Sequence, residues 1–139
     1  MTKEDKGLLL KDLSARLPYD TIVSVAEGGV DGIKWNKVTL NFYLLHQIEE
    51  EDGWEFVKPY LRPLSSMTEE ECDMVEEILG DKCIFDFMSN GDIVLKQGQF
   101  SQNKLAKLYD YYTSIHIDYR GLIPKGLALK APEGMYKIN

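Results

Sequence analysis

An Asn-Gly pair between two short apolar runs is the sequence feature that most restricts how this chain can fold. Asn90 and Gly91 separate the apolar residues 83–88 from residues 93–95. Asn and Gly both tolerate positive φ, so the pattern predicts a tight turn between two antiparallel strands. A chain that contains such a hairpin has at least one antiparallel sheet.

A second hairpin is predicted near the N-terminus. Residues 21–26 are rich in β-branched side chains, which is typical of a strand, and the glycine-rich residues 28–32 supply a turn. Apolar and polar residues alternate over 38–45, which predicts the second strand. Neither hairpin forms part of a clear β-α-β crossover, so we expect an antiparallel sheet with helices packed on it.

The first predicted helix covers residues 3–17. Thr2 is suited to the N-cap position, and Leu17 ends the helix because the residue before Pro18 is driven out of the helical region. Leu10 and Leu13 recur with Leu17 at helical spacing, and we expect these three side chains to form the buried face.

A second helix is predicted after Thr68. Thr68 and Glu71 have the spacing of a capping box, and Met67 is placed to contact Cys72 as a hydrophobic staple. Gly80 is suited to end the helix, because glycine readily adopts the left-handed conformation. The predicted helix therefore lies between residues 68 and 80.

A third helix is predicted from Ser101, with Phe100 and Leu105 in staple positions. After His116 the chain becomes a tail with room for a short helix. The whole pattern predicts an α+β fold: a single domain over residues 1–139, with a mainly antiparallel sheet of about four strands and about three helices packed on it.

Composition restricts the class of protein. The 139 residues are 44% hydrophobic and carry a net charge of −7, which is typical of one globular domain. Such a charge disfavours direct binding to nucleic-acid phosphates. The charge is uneven: residues 45–80 have a balance of −9 (eleven acids against two bases), and residues 96–139 have a balance of +4 (seven bases against three acids).

The compartment is predicted from what the sequence lacks. Acids stand near the N-terminus where a signal peptide is basic, and no apolar run is long enough for a membrane span. Cys72 and Cys83 form no CxxC pair, so we expect reduced thiols. The expected location is the cytoplasm, without membrane association.

Three stretches together resemble a known group of proteins. They are LKDLSARLPY at residues 10–19, KPYLRPLSSMTEEE at 58–71 and DYRGLIPKGLAL at 118–129. They resemble a family of short proteins of gut Bacteroidetes, without an assigned activity and often encoded in prophage-like or mobile regions. The resemblance implies a bacterial cytosolic setting and one domain over the whole chain, and it assigns no functional residue.

The tail contains the strongest candidate for chemistry. His116 and Asp118 could lie on one side of an extended segment, next to Tyr119, with Arg120 placed to bind an anion. The structural alternative places His116 at a helix C-terminus, where its positive charge is favourable, and pairs Arg120 with an acid or with carbonyl groups. We favour the structural alternative, since the segment matches no catalytic motif.

A second candidate surface is the proline-bounded segment around Tyr60. Lys58, Tyr60 and Arg62 alternate, so they could project from one side of an extended strand towards a partner. The alternative is a loop that Tyr60 anchors to the core, with prolines that restrict the unfolded chain. Together with the tail, the possible binding surface comprises Lys58, Tyr60, Arg62, His116, Asp118, Tyr119 and Arg120.

Other patterns predict no site. The acids of residues 49–55 lack the spacing of a calcium loop, the glycines of 28–32 lack the Lys of a phosphate loop, and Cys72 falls on an apolar helix face. We therefore assign no catalytic, metal or cofactor residue. The expected function is a non-catalytic module that binds an unidentified protein, one version being nucleic-acid mimicry by the acidic stretch. The alternative is a small enzyme that uses His116 to Arg120 on an anionic substrate.

Overall fold

The computed structural model describes residues 1–29, 32–80, 85–87, 93–95 and 102–136, and the chain is α+β as predicted. Within these residues there are four α-helices and six strands. The helices are α1 (Lys3–Arg16), α2 (Phe42–Glu51), α3 (Glu69–Leu79) and α4 (Gln102–Ser114). The strands are β1 (Ile22–Gly29), β2 (Gly32–Thr39), β3 (Val57–Leu61), β4 (Phe85–Phe87), β5 (Ile93–Leu95) and β6 (Leu129–Lys130).

The chain forms two compact units. The first combines Met1–Leu61 with Arg120–Asn139, and the second is the continuous stretch Arg62–Tyr119. None of the helices in the described part of the chain has the length and apolar character that crossing a membrane requires.

The first unit contains a four-stranded sheet in the order β2-β1-β3-β6. β1 pairs antiparallel with β2 and with β3, and β3 pairs parallel with β6. The sheet is therefore mainly antiparallel, as the sequence predicted, with one parallel pairing at β6. The tail, where a short helix was considered, supplies turns and the strand β6 instead.

One face of this sheet carries the core of the first unit. Val23, Val57 and Leu61 face the same side of the sheet and are buried. They belong to one cluster with Leu9 and Leu13 of α1 and with other buried residues, namely Leu40, Leu45, Ile48, Trp54, Leu122, Leu127 and Ala128. The arrangement is a sheet with its helices on one face.

The predicted hairpin near the N-terminus is present, but its second strand is Gly32–Thr39 and not residues 38–45. The structure ends β2 at Thr39, and Asn41 begins α2 as its N-cap: its side-chain oxygen accepts a 2.8 Å hydrogen bond from the Leu44 backbone N–H. Leu45 and Ile48 then face the core at helical spacing. Apolar residues alternate with other residues on both sides of Asn41. The pattern that predicts a strand therefore also fits the first turn of α2.

The buried face of α1 also differs from the prediction. Leu9 and Leu13 are fully buried, together with Asp12 and Arg16. Leu10 and Leu17, which the sequence analysis placed on the buried face, are only partly buried. The buried face of α1 therefore runs through Leu9, Leu13 and Arg16, which recur at helical spacing.

Pro59 lies inside a strand because its missing N–H is not needed there. The Leu40 backbone N–H donates to the Thr21 carbonyl at 2.8 Å, so alternate residues from Thr21 onward bond to the β2 side. Ser24 therefore bonds towards β3, and Val23, the partner of Pro59, does not. The Pro59 nitrogen therefore points away from β1, and the β1–β3 ladder needs no N–H donor from this residue.

A tyrosine hydroxyl continues the ladder between β1 and β3. The Ile22 backbone N–H donates to the Tyr136 hydroxyl at 2.9 Å, and this hydroxyl donates to the Tyr60 carbonyl at 2.7 Å. Ile22 and Tyr60 stand where the next direct ladder bond would form. Burial is the main cause that raises the pKa of Tyr136, to about 12.

The second unit is built on α3 and α4. The capping box at Thr68 and Glu71 and the C-cap at Gly80 are present as predicted. Buried residues of both helices share one cluster that comprises Met67, Val75, Leu79, Leu108, Tyr112, Ile115 and Ile117. β4 pairs antiparallel with β5, as predicted, while their Asn90-Gly91 turn and the helix start at Phe100 and Ser101 lie outside the described residues.

Candidate functional site

The most exposed part of the sheet is the hairpin of β1 and β2. Every residue of β2 is exposed, including the large side chains Ile33 (62% exposed) and Trp35 (49%). The β1–β3 pairing covers only residues 23–25, so the end of β1 from Ala26 onward pairs with β2 alone. The hairpin therefore extends beyond the rest of the sheet with apolar side chains in solvent.

The outer edge of β2 presents backbone groups to solvent. β2 is the first strand in the sheet order, and in the described residues no strand pairs with its outer side. Val38 and alternate residues before it bond to β1, because Thr21 bonds to Leu40 in the same register. The outward N–H and C=O groups therefore belong to Ile33, Trp35, Lys37 and Thr39.

The side chains of these four residues lie on the open face of the sheet, opposite the core. Ser24 is the register partner of both Lys37 and Lys58, so the three side chains form one row across three strands. Tyr60 shares this face, and Lys37 Nζ lies 5.4 Å from the centre of its ring. Among the described residues of β1, β2 and β3, this face carries lysines and no acid.

Exposed aromatic residues follow directly after the hairpin. Phe42 and Tyr43 occupy the first turn of α2 and are 75% and 78% exposed. The Phe42 ring stacks on His46 with 6.5 Å between ring centres, and His46 Nε2 lies 3.2 Å from Glu50 Oε1. Solvated aromatic side chains are frequent at protein–protein interfaces.

Lys58 and Tyr60, two of the predicted binding residues, lie on the open face as the alternation predicted. The third residue of that segment, Arg62, belongs to the second unit and makes its contacts there. Its Nη1 and Nη2 atoms donate to both carboxylate oxygens of Glu71 at 2.8 and 2.7 Å, and also to the carbonyls of Ile115 and Ser66. The guanidinium is thus committed to internal contacts.

The Arg62 pair determines the ionisation of Glu71. Burial acts to raise the pKa of this carboxyl, while hydrogen bonds from Arg62 and from the Thr68 backbone N–H lower it together with the Arg62 charge. The net pKa lies below the ordinary value of 4.5. Glu71 is therefore a carboxylate at neutral pH, which suits an acceptor at a helix N-terminus.

His116 and Asp118 are buried, with 7% and 6% of their surfaces exposed. His116 has φ of +65° just after the end of α4, and its backbone N–H donates to the Thr113 carbonyl at 3.2 Å. The backbones of His116 and Asp118 also bond to Arg62, at 2.7 and 2.8 Å. The position of His116 is the one that the structural alternative predicted.

Tyr119 and Arg120, although neighbours in sequence, belong to different units. Tyr119 stacks on Tyr109 and Tyr112 in the second unit, with ring centres 5.2 and 6.0 Å apart. Arg120 belongs to the first unit, and its Nε lies 3.4 Å from Asp12 Oδ1. The predicted tail site is therefore divided between two sets of contacts.

Asp12 is the centre of a buried ionic cluster that the sequence analysis missed. Arg16 Nε and Nη2 donate to its two oxygens at 2.7 and 3.1 Å, and Arg120 approaches the same carboxylate. Asp12 and Arg16 are completely buried. The available signal was the spacing of Leu9, Leu13 and Arg16, which places the arginine on the core face of α1.

Cys72 is the remaining candidate nucleophile. Burial raises the pKa of the Cys72 thiol, and the charges of Glu71, Asp73, Glu76 and Glu69 raise it further, so the thiol is a poor nucleophile at neutral pH. In the described part of the chain, no group of three His, Cys, Asp or Glu side chains could hold a metal ion.

The prediction from sequence does not include the hairpin edge, because it gives Gly32 to a turn and starts the second strand at Val38. The alternation of Ile33, Trp35 and Lys37 was the signal that could have found it.

Comparison with known proteins gives no relative: no family model, curated protein or solved structure matches this chain.

Proposed function

We propose that this chain is a non-catalytic protein-binding module of the bacterial cytosol, and that it binds an extended segment of a protein along the outer edge of β2. The observation that carries the proposal is the edge itself. All eight residues of β2 are exposed, and Ile33, Trp35, Lys37 and Thr39 direct backbone groups outward. Edge strands of this kind bind peptides by adding a strand to the sheet.

The side chains of the open face support the same function. Trp35 is half exposed, and tryptophan is one of the residue types that most often contribute strongly to binding energy at interfaces. Lys37 lies two residues further along the same face and offers a cation, with its Nζ 5.4 Å from the centre of the Tyr60 ring. A bound strand would extend this face, so its side chains would contact Trp35 and Lys37 directly.

The enzyme alternative receives less support from the structure. It requires His116, Asp118, Tyr119 and Arg120 to act on one substrate. His116 and Asp118 are buried, and Arg120 contacts the buried carboxylate of Asp12. The nucleic-acid mimicry version needs the acids of residues 45–80 on one surface, and these acids belong partly to the first unit and partly to the second.

The test is photo-crosslinking from a single position. The chain carries p-benzoylphenylalanine in place of Trp35, and a control chain carries it in place of Met74, which is 41% exposed on α3. After irradiation in a lysate of the native host, we expect covalent adducts with protein from position 35, competed away by excess unlabelled chain. Equal adducts from both positions, or none from position 35, would refute the proposal.

A further inference from the structure

We infer that the extended segment that pairs with β2 is β2 of a second copy of this chain, an inference that rests on the proposed function. The outward backbone groups belong to Ile33, Trp35, Lys37 and Thr39, which are alternate residues of one strand. An antiparallel copy of the same strand presents the same groups at the same spacing. A two-fold axis between the strands can therefore satisfy both edges at once.

One register of the two β2 strands gives every outward backbone group a hydrogen-bonding partner. If the axis passes beside Asn36, Ile33 pairs with Thr39 of the copy and Trp35 with Lys37 of the copy, and the same pairs repeat in reverse. This arrangement forms about eight backbone hydrogen bonds, since each hydrogen-bonded pair exchanges two. Moving the axis to Trp35 leaves Thr39 without a partner residue in the strand, and moving it to Lys37 leaves Ile33 without one.

The side chains agree with the register centred on Asn36. On the open face, Lys37 lies opposite the Trp35 ring of the copy, which favours a cation–π contact in both halves of the interface. On the other face, Lys34 lies opposite Val38. No residue of β2 then meets a like charge directly across the interface, whereas an axis beside Lys37 would place the two copies of this lysine opposite each other.

The edge strand itself carries none of the acids of this acidic chain. The chain has a net charge of −7, so two copies repel each other through their acidic surfaces. β2 carries Lys34 and Lys37 and no acid, and Glu27 of β1 lies opposite Lys34 within the hairpin. β2 itself therefore brings no carboxylate across the interface, and Glu27 of β1 is engaged within its own hairpin, where it accepts a 3.4 Å hydrogen bond from Asn36.

The experiment tests whether Asn36 lies opposite its own copy at the two-fold axis. Asn36 is exposed and would lie opposite its own copy, so Asn36→Asp and Asn36→Lys each place like charges across the axis. We expect sedimentation of the purified chain to show a monomer–dimer equilibrium, and each variant to dimerise more weakly. An equimolar mixture of the two variants should form a heterodimer about five- to thirtyfold tighter than either homodimer. The control Asn36→Gln should behave as the original chain.

Three outcomes would overturn the inference. They are a monomer at all concentrations up to about 1 mM, a dimer that the charged Asn36 variants leave unchanged, and a mixture that shows no recovery. Circular dichroism of each variant verifies that the hairpin folds. If the chain is monomeric while Trp35 still crosslinks to another protein in the lysate, only the second copy is refuted as the occupant and the proposed function stands.

Discussion

Asp12 accepts a 2.7 Å hydrogen bond from Arg16 Nε, and neither side chain is exposed to solvent. The two residues stand one turn apart on α1, next to Leu9 and Leu13, which are equally buried. A carboxylate and a guanidinium in such a place depend on each other, because either charge alone would remain in a poorly solvated environment.

We expect Asp12→Ala to destabilise the protein by about 3–5 kcal/mol, since it leaves the buried Arg16 guanidinium without its carboxylate. Urea unfolding followed by circular dichroism measures the loss. The matched control is Lys6→Ala, which removes an exposed 3.0 Å ion pair with Asp52 and should cost less than about 1 kcal/mol. Equal costs for the two variants would contradict the role assigned to Asp12.

The pair between Arg62 and Glu71 makes stability depend on pH in the acid range. The folded pKa of Glu71 lies below its ordinary value of 4.5. The contribution of the pair is therefore present above pH 4.5 and is lost as the pH falls through the lowered pKa. We expect Glu71→Gln to cost about 1–3 kcal/mol at pH 7.

As the pH falls from 7 to about 3, the difference between the original chain and Glu71→Gln should shrink, because the Glu71 carboxyl takes up a proton in the unfolded chain before it does so in the folded one. Urea unfolding at the two pH values tests this. Gln at the same position can still accept the capping hydrogen bond from Thr68, so the variant isolates the charge. A difference that is constant from pH 7 to pH 3 would argue against the ion pair.

Tyr136→Phe removes the hydroxyl that joins Ile22 to Tyr60, and we expect a loss of about 1–3 kcal/mol at neutral pH. The sign of the alkaline effect follows from the folded pKa of Tyr136, about 12, which lies above the ordinary value of 10.0. Between these values the unfolded chain releases the proton first, so the stability of the original chain falls as the pH rises.

The phenylalanine variant lacks this titrating group, so its stability should fall less steeply above pH 10. Chemical unfolding of both proteins at closely spaced alkaline pH values measures the two slopes. Lysine deprotonation affects both chains alike and cancels in the comparison. Identical slopes would show that the Tyr136 hydroxyl is not held in the ladder.

Asn41→Ala tests the helix start that the sequence pattern missed. It removes the side-chain acceptor of the Leu44 N–H, and we expect a loss of about 1 kcal/mol in the free energy of unfolding. Gln47, an exposed residue of the same helix, is the control, since Gln47→Ala should change stability by less than about 0.5 kcal/mol. No loss in Asn41→Ala would refute the cap.

Local signals predicted those parts of the fold that depend on neighbouring residues. Thr68 caps α3 and Gly80 ends it, as the sequence indicated, because capping involves residues within one helical turn. Asn41 is also a local cap, but apolar residues alternate on both sides of it, and this alternation hid the change from strand to helix. The α+β class was predictable because it requires only the order of the elements.

The candidate site was predictable only where strand alternation decided it. Lys58 and Tyr60 share a face because they are two residues apart in β3. The partners of Arg62 and Arg120 are Glu71 and Asp12, which the fold brings close and which no spacing indicates. The hairpin edge depends on which strand is outermost, and strand order in a sheet is not encoded in any local pattern.

The division of the first unit has a consequence for synthesis on the ribosome. Residues 1–61 of this unit emerge first, yet Arg120, β6 and Tyr136 complete its ionic cluster and its sheet. The second unit is continuous and leaves the exit tunnel in between. β3 therefore stays without its partner β6 until residues 120–136 have been synthesised, and during this interval its unpaired edge is open to intermolecular contacts.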